Sequence, residues 1–277
     1  MISVAMTTYN GQQYIEQQLQ SIINQTTPVD EIIICDDGST DETCNIIKRF
    51  DDKRIILVCN PQNLGYIENF YQAIARTSGD YIFLADQDDI WRPDKVEKMV
   101  AFMERQSCVA ACSNFELIDQ DGKVIAEREN YQIHPKVLSC KKSYLTLTTL
   151  QLVFRNVAQG CTYCFDKTVK KIYVDLHNTE VIHDHQIMLI ASCVGKVGFL
   201  NEKLISYRIH EKNSIGFSKK NKEYKLKKAI SREPFMYRFF RQLNAHITIK
   251  GLYFYKLLYY LRIPAIRELI FRKLFGI

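Results

Sequence analysis

Over the first hundred residues, short apolar runs alternate with stretches whose apolar positions recur at helical spacing. Residues 2–7, 31–35, 55–59 and 81–85 are runs with the length and β-branched content of buried strands. Between the first two, Gly11 interrupts the chain, and Tyr14, Ile15, Leu19, Ile22 and Ile23 then fall on one face of a helix. Asp41 is placed to N-cap a second helix running to Phe50, and residues 67–75 read as a third. Strands alternating with helices predict an α/β fold, a doubly wound, mostly parallel sheet.

The pattern changes after Pro93. A helix to Met103 leads into a strand over 109–113, and 117–125 reads as a small hairpin turning at Asp121-Gly122. Residues 144–152 are expected to be helical and 161–165 a short strand. An apolar helix follows over 184–194, then two β-like runs over 196–200 and 204–209 that end at His210.

Polar residues sit where the strands stop. The first run ends in Thr7-Thr8-Tyr9-Asn10-Gly11, a small hydroxyl-bearing turn with an aromatic ring that makes a floor for a base and sugar. The second ends in Asp36-Asp37-Gly38, where a carboxylate can accept from a pyrimidine ring N–H or a ribose hydroxyl. The third ends in Asn63-Leu64-Gly65. The fourth gives Asp86-Gln87-Asp88-Asp89, three carboxylates in four positions. Such a cluster repels itself unless cations or water screen it, and oxygen ligands favour Mg2+ or Mn2+. Taken singly, each end has the composition of an ordinary turn. Four polar ends on consecutive parallel strands converge on one crevice, the usual ligand site of an open α/β sheet.

Two later clusters add chemistry. In His183-Asp184-His185, Asp184 reads either as a helix N-cap or as a general base for an acceptor hydroxyl, with the imidazoles of His183 and His185 able to orient it. In Tyr207-Arg208-Ile209-His210, Arg208 is a candidate phosphate partner and His210 is either a surface histidine or a third metal ligand.

Charge is uneven. From Phe217 onward there are 15 Lys/Arg against 3 Glu and no Asp, whereas the rest carries 22 against 28, so the net +6 hides an acidic body and a basic tail. Lysines 219–228 followed by the aromatic, apolar segment 252–261 suit either helices packed on the body or an interfacial helix on anionic lipid. No nucleic-acid-binding module is visible, no signal-peptide pattern opens the chain, and no run of 18 uncharged apolar residues occurs. Nine irregularly spaced cysteines suit a reducing cytoplasm, with Cys35, Cys59 and Cys193 expected as buried thiols. Cys161-Thr-Tyr-Cys164 lacks the second ligand pair of a zinc site.

In sequence order, Thr-Thr-Tyr-Asn-Gly, Asp-Asp-Gly-Ser-Thr-Asp, Asn-Leu-Gly, Asp-Gln-Asp-Asp-Ile-Trp, His-Asp and Tyr-Arg-x-His resemble glycosyltransferase family 2 over about residues 1–215. The resemblance implies a GT-A nucleotide-diphospho-sugar transferase fold that inverts the sugar carbon. A nucleotide-sugar-binding half (1–105) would precede an acceptor-binding half (106–215) and a basic helical extension (216–277). It implies that Thr7, Tyr9 and Asp37 hold a pyrimidine nucleoside, with Thr8, Asn10, Asp36, Asn63, Gly65, Asp86 and Gln87 completing the donor site. Asp86, Asp88 and His210 fall on the metal positions and Asp184 on the catalytic base; further candidates are Asp89, His183, His185 and Arg208. The Asp-Gln-Asp-Asp-Ile-Trp form is similar to bacterial surface-polysaccharide transferases, several of them dTDP-rhamnose-dependent. The implied activity is transfer from a nucleoside-diphosphate sugar (dTDP-rhamnose or a UDP-sugar) to a glycan or lipid-linked hydroxyl, in the cytoplasm or at the inner membrane face. A sugar nucleotidyltransferase would want a cationic Gly-rich loop after the first strand, and Thr8–Gln13 has no cation. A non-catalytic sugar-nucleotide-binding module would not need Asp184 and His210 together with the carboxylate cluster.

Overall fold

The computed structural model describes residues 1–125, 141–154, 156–210 and 233–246. Four strands, β1 (Ile2–Thr8), β2 (Glu31–Asp36), β3 (Ile55–Cys59) and β4 (Tyr81–Ala85), alternate with α1 (Ile15–Ile23), α2 (Thr43–Lys48) and α3 (Tyr66–Arg76). They pair in parallel in the order β3-β2-β1-β4, so their carboxyl ends share one sheet edge. The chain continues through β5 (Ile90–Trp91), α4 (Lys95–Gln106), β6 (Cys108–Ile118), β7 (Tyr144–Leu147) and α5 (Thr149–Phe154). A 3-10 turn (Gly160–Thr162) leads to β8 (Tyr163–Asp166), α6 (Lys167–Leu176), α7 (His183–Val194), β9 (Lys196–Arg208) and α8 (Glu233–His246). The full sheet has nine strands, with β8 inserted antiparallel between β4 and β6 and with β9 parallel to β6.

Strand alternation splits the core in two. Ala5, Ile82 and Leu84 face a layer made by α3, α6, α7 and α8, whereas Val4, Met6 and Phe83 face α1, α2 and α4. Helices therefore cover both faces, as the alternating pattern predicts.

Several boundaries differ from expectation. Residues 144–147 form strand β7 against β9, and the helix begins only at Thr149. The two β-like runs after 196 are one continuous strand. The expected strand at 109–113 runs on to Ile118 and into the hairpin, where Ile118 bridges Val124 and Gly122 takes φ 84° at the turn. Asp41 is not the N-cap of α2. Glu42 holds that place, while the Asp41 carboxylate accepts the Thr43 N–H at 3.0 Å and the Gln12 N–H at 3.2 Å, tying α2 to the first turn. Cys59 is exposed rather than buried, because β3 is the edge strand; Cys35 is buried and Cys193 half-buried. Of the basic tail, α8 packs on the body: Phe239, Phe240 and Leu243 are buried, and Asn178 donates to Gln242 at 2.8 Å. The lysine block 219–228 and the segment 252–261 lie outside the described residues.

Candidate active site

The carboxyl ends of β1–β4, the amino end of α7 and the end of β9 enclose one crevice of about 800 Å³. At its nucleoside end the β1–α1 turn is held from several sides. Asn10 adopts φ 50°, its N–H donates to Ser39 Oγ at 2.8 Å and its Oδ1 accepts the Thr40 N–H at 2.9 Å. Gln87 clamps Tyr9 by accepting its N–H at 2.8 Å and donating to its carbonyl at 3.0 Å. A Cβ on Gly11 would lie 2.2 Å from Gln87 Oε1, so the clamp requires glycine there. The Tyr9 ring is left 47% exposed at the rim, available for stacking.

Asp36 and Asp37 separate. Asp36 is buried beneath the site, accepting from Thr8 Oγ1 at 2.7 Å, Ser39 N at 2.8 Å and Ser39 Oγ at 2.6 Å. Asp37 lines the crevice and accepts from Leu64 N at 2.7 Å, Gly65 N at 2.9 Å and Asn60 Nδ2 at 3.1 Å. An ionised carboxylate has about four acceptor sites, so Asp37 fixes the β3–α3 turn and keeps capacity for one more donor.

At the acidic end, Asp86, Gln87 and Asp88 line the crevice, and Asp88 Oδ2 lies 2.8 Å from His210 Nε2. Burial, then the charges of Asp89, Asp88 and Asp184, push the Asp86 carboxyl well above the usual carboxylate range. Asp89 is 1% exposed and lies behind the crevice wall, with Oδ1 accepting the Arg208 N–H at 3.1 Å; burial and Asp88 push it up to about 7. Arg208, the candidate phosphate partner, is buried and lies outside the crevice lining. Its guanidinium donates to the carbonyls of Asp88 (2.8 Å), Asp119 (3.2 Å) and Gln120 (3.1 Å) and to Gln17 Oε1 (2.7 Å), so it holds the carboxylate loop in place.

Two groups of side chains at or behind the crevice carry donor atoms for a metal ion. Oxygens of Asp86 and Asp89 and the Cys161 sulfur lie within 4.8 Å of one another, but burial raises the Cys161 thiol well above its ordinary value and a protonated thiol is a poor ligand. Asp86, Asp88 and His210 all line the crevice and offer two carboxylates and an imidazole, donors of the kind Mg2+ or Mn2+ takes, although their ligand atoms do not all lie within 4.8 Å of one another.

Asp184 lines the same crevice, near enough for its charge to act on Asp86. It sits in the first turn of α7, whose N-cap is Ile182, so the capping alternative does not hold. Its Oδ1 accepts the His185 N–H at 2.6 Å. Gly160 lies beside it: a Cβ there would come within 3.2 Å of Asp184 Cβ and 3.3 Å of His183 Nε2. His183 stacks on Phe70 at 3.9 Å, and burial drives its pKa down to about 3, so the ring is neutral. His185 points away and its Nε2 lies 2.6 Å from the Leu152 carbonyl; it does not line the crevice.

Thr7, Thr8, Tyr9, Asn10, Asp37, Asn63, Gly65, Asp86, Gln87, Asp88, His183, Asp184 and His210 therefore share one cavity, whereas Asp36, Asp89, His185 and Arg208 stand behind it. Residues 3–171 match the family model described as glycosyl transferase family 2. The chain belongs to that family. The dTDP-rhamnosyl transferase RfbG of Shigella flexneri is 30% identical over 227 residues, covering 76% of this chain and 73% of that protein. An uncharacterized glycosyltransferase of Haemophilus influenzae is 27% identical over 249 residues, with 86% and 74% covered. The Escherichia coli protein named UDP-Glc:alpha-D-GlcNAc-diphosphoundecaprenol beta-1,3-glucosyltransferase WfgD is 30% identical over 132 residues, and the match spans 47% of this chain and 52% of that protein. The crystal structure of S. aureus TarS 1-349 with UDP-GlcNAc superposes with a TM-score of 0.65 at 17% identity, covering 90% of this chain and 67% of TarS. That likeness shows the fold, the GT-A arrangement expected from the motifs. Family membership makes the chain a glycosyltransferase.

Sequence reasoning missed Lys95. It is fully buried, donates to the Cys161 carbonyl at 2.7 Å and lies 3.6 Å from the Trp91 ring centroid, and burial lowers it to about 7. The signal was present: Lys95 shares the buried stripe of α4 with Met99 and Phe102.

Proposed function

We propose that this glycosyltransferase inverts the anomeric carbon as it moves a sugar from a pyrimidine nucleoside diphosphate to a hydroxyl of a glycan or lipid-linked acceptor, in bacterial surface-polysaccharide synthesis. One observation carries the reading: Asp184, on α7, faces the same crevice as Asp86, Asp88 and His210, which come from the ends of β4 and β9. A candidate base and an acidic cluster brought from different elements into one crevice suit a single in-line displacement.

In that reaction the Asp184 carboxylate takes the proton of the acceptor hydroxyl. The hydroxyl oxygen attacks the anomeric carbon as the bond to the diphosphate breaks on the opposite side, and the sugar changes hands with inversion. Neutral His183, stacked on Phe70, brings no competing positive charge beside the base. Asp86, Asp88 and His210 would hold a divalent ion, which when bound neutralises the charge of the leaving diphosphate. Asp37 spends its remaining acceptor capacity on a pyrimidine N–H, and Tyr9 stacks on the base. The names of RfbG and WfgD point to dTDP-rhamnose or a UDP-sugar as donor, and the WfgD name to a lipid-linked acceptor. A lipid-linked acceptor gives the basic tail its use, to hold the enzyme peripherally on an anionic inner leaflet.

The test is a donor panel with Mn2+ or Mg2+, read as released nucleoside diphosphate. Asp184→Asn is expected to keep nucleotide binding and lose about 10²–10⁴ of turnover, the usual range for a general base. Asp88→Ala is expected to weaken both metal and donor binding. Unchanged turnover in the first variant removes Asp184 from the reaction, and unchanged metal and donor affinity in the second removes Asp88 from the site.

A further inference from the structure

We propose that Cys44 and Cys59 form an oxidisable thiol pair whose disulfide weakens the nucleoside end of the crevice. Cys44 lies in the first turn of α2 and Cys59 at the last position of β3, and their sulfurs are 3.6 Å apart. Among the described cysteines Cys59 is the exposed one and Cys44 is half-exposed, so an oxidant reaches the pair from solvent. An Asp36 oxygen lies within 4.8 Å of both sulfurs, which invites a soft-metal reading. The Asp36 oxygens are already taken by Thr8 and Ser39, and oxidation needs no third donor.

With a peroxide as oxidant the chemistry balances. The Cys59 sulfur attacks one peroxide oxygen, the O–O bond breaks, and water leaves a sulfenic acid. The Cys44 sulfur then attacks the Cys59 sulfur, the S–O bond breaks, and a second water departs with the Cys44 proton. Two thiols lose two electrons and one peroxide becomes two waters. Burial, then Asp36 and Cys59, hold Cys44 as a thiol, its pKa pushed up to about 12, so the more exposed Cys59 meets the oxidant first and Cys44 gives up its proton to the departing water as the disulfide forms.

Bond formation draws the sulfurs from 3.6 Å to about 2.0 Å. Both backbones are tied to the crevice. Cys59 precedes Asn60, whose N–H donates to the Asp36 carbonyl at 2.8 Å and whose side chain donates to Asp37 at 3.1 Å. Cys44 follows Thr43, whose hydroxyl accepts the Gly11 N–H at 2.8 Å. The consequence for affinity rests on the donor site proposed above; formation of the bond does not.

The full-length protein is treated with hydrogen peroxide, remaining thiols are alkylated, and the digest is mapped by mass spectrometry. UDP and dTDP binding is measured before oxidation, after it, and after dithiothreitol. The expected result is a linked 44–59 peptide and an affinity lower by roughly fivefold or more, the low end of ordinary coupling between sites. Both should be reversed by the reductant and absent in Cys59→Ser and Cys44→Ser. No linked peptide, or a linked peptide with unchanged affinity for a nucleotide the reduced protein binds, overturns the proposal. A linked peptide in a protein that binds neither nucleotide even when reduced supports the thiol pair and counts against the donor-site reading.

Discussion

His183 in the crevice lining and Lys95 buried outside it are pushed towards neutrality by the same cause, burial. For His183 the consequence is measurable. Its folded pKa of about 3 lies below the ordinary 6.5, so in between the unfolded chain binds a proton that the folded chain refuses. The stability this confers is complete above pH 6.5 and is lost as pH falls towards 3. His183→Phe keeps a ring against Phe70 and removes the titration, so its denaturant midpoint should fall less steeply over that window than the parent's. Equal acid limbs in the two proteins would show that His183 is not buried neutral. At this scale the sequence was a partial guide. Asp36 and Asp37 are chemically identical neighbours, yet one braces Thr8 and Ser39 from below and the other faces the cavity, because successive side chains at a strand end point to opposite sides. Composition could not rank them, and the same holds for Asp88 and Asp89.

Among elements, β1 to β4 and the helices between them were legible because each carries its own periodicity and its own turn. Residues 144–147 were not. Tyr-Leu-Thr-Leu is short enough to read either way, and what makes it a strand is β9, more than fifty positions later, whose residues 197–200 pair with it. The polar Asn201-Glu202-Lys203 made β9 look like two strands, yet Lys203 still finds a partner in Asn114 across a register shift, so the strand continues. Helix α8 shows the same dependence on a distant partner. Phe239, Phe240 and Leu243 seat against the body, and Phe239 is fully buried. Phe239→Ala should cost about 3–5 kcal/mol, the usual loss for a core phenylalanine, read as a lower denaturant midpoint. A change near zero would mean that α8 does not dock in solution.

For the whole molecule, charge asymmetry and strand order act together. Part of the tail rests on the catalytic body through α8, and among the described residues no helix is long and apolar enough to cross a membrane. The peripheral role proposed for the remaining basic residues predicts that the full chain co-sediments with anionic vesicles and not with neutral ones. High salt should release it, because screening shortens the reach of surface charge. Binding that ignores lipid charge would sink that role. The motifs at the sheet edge revealed the crevice because parallel strands deliver their carboxyl ends to one side. The place of Gly160 beside Asp184 was hidden, since it depends on β8 running against its neighbours. That reversed strand has a practical meaning. Because β8 runs opposite to β4, the polypeptide arrives at the crevice rim at Gly160 and only afterwards threads into the interior, so any side chain at that arrival point would crowd Asp184 and His183.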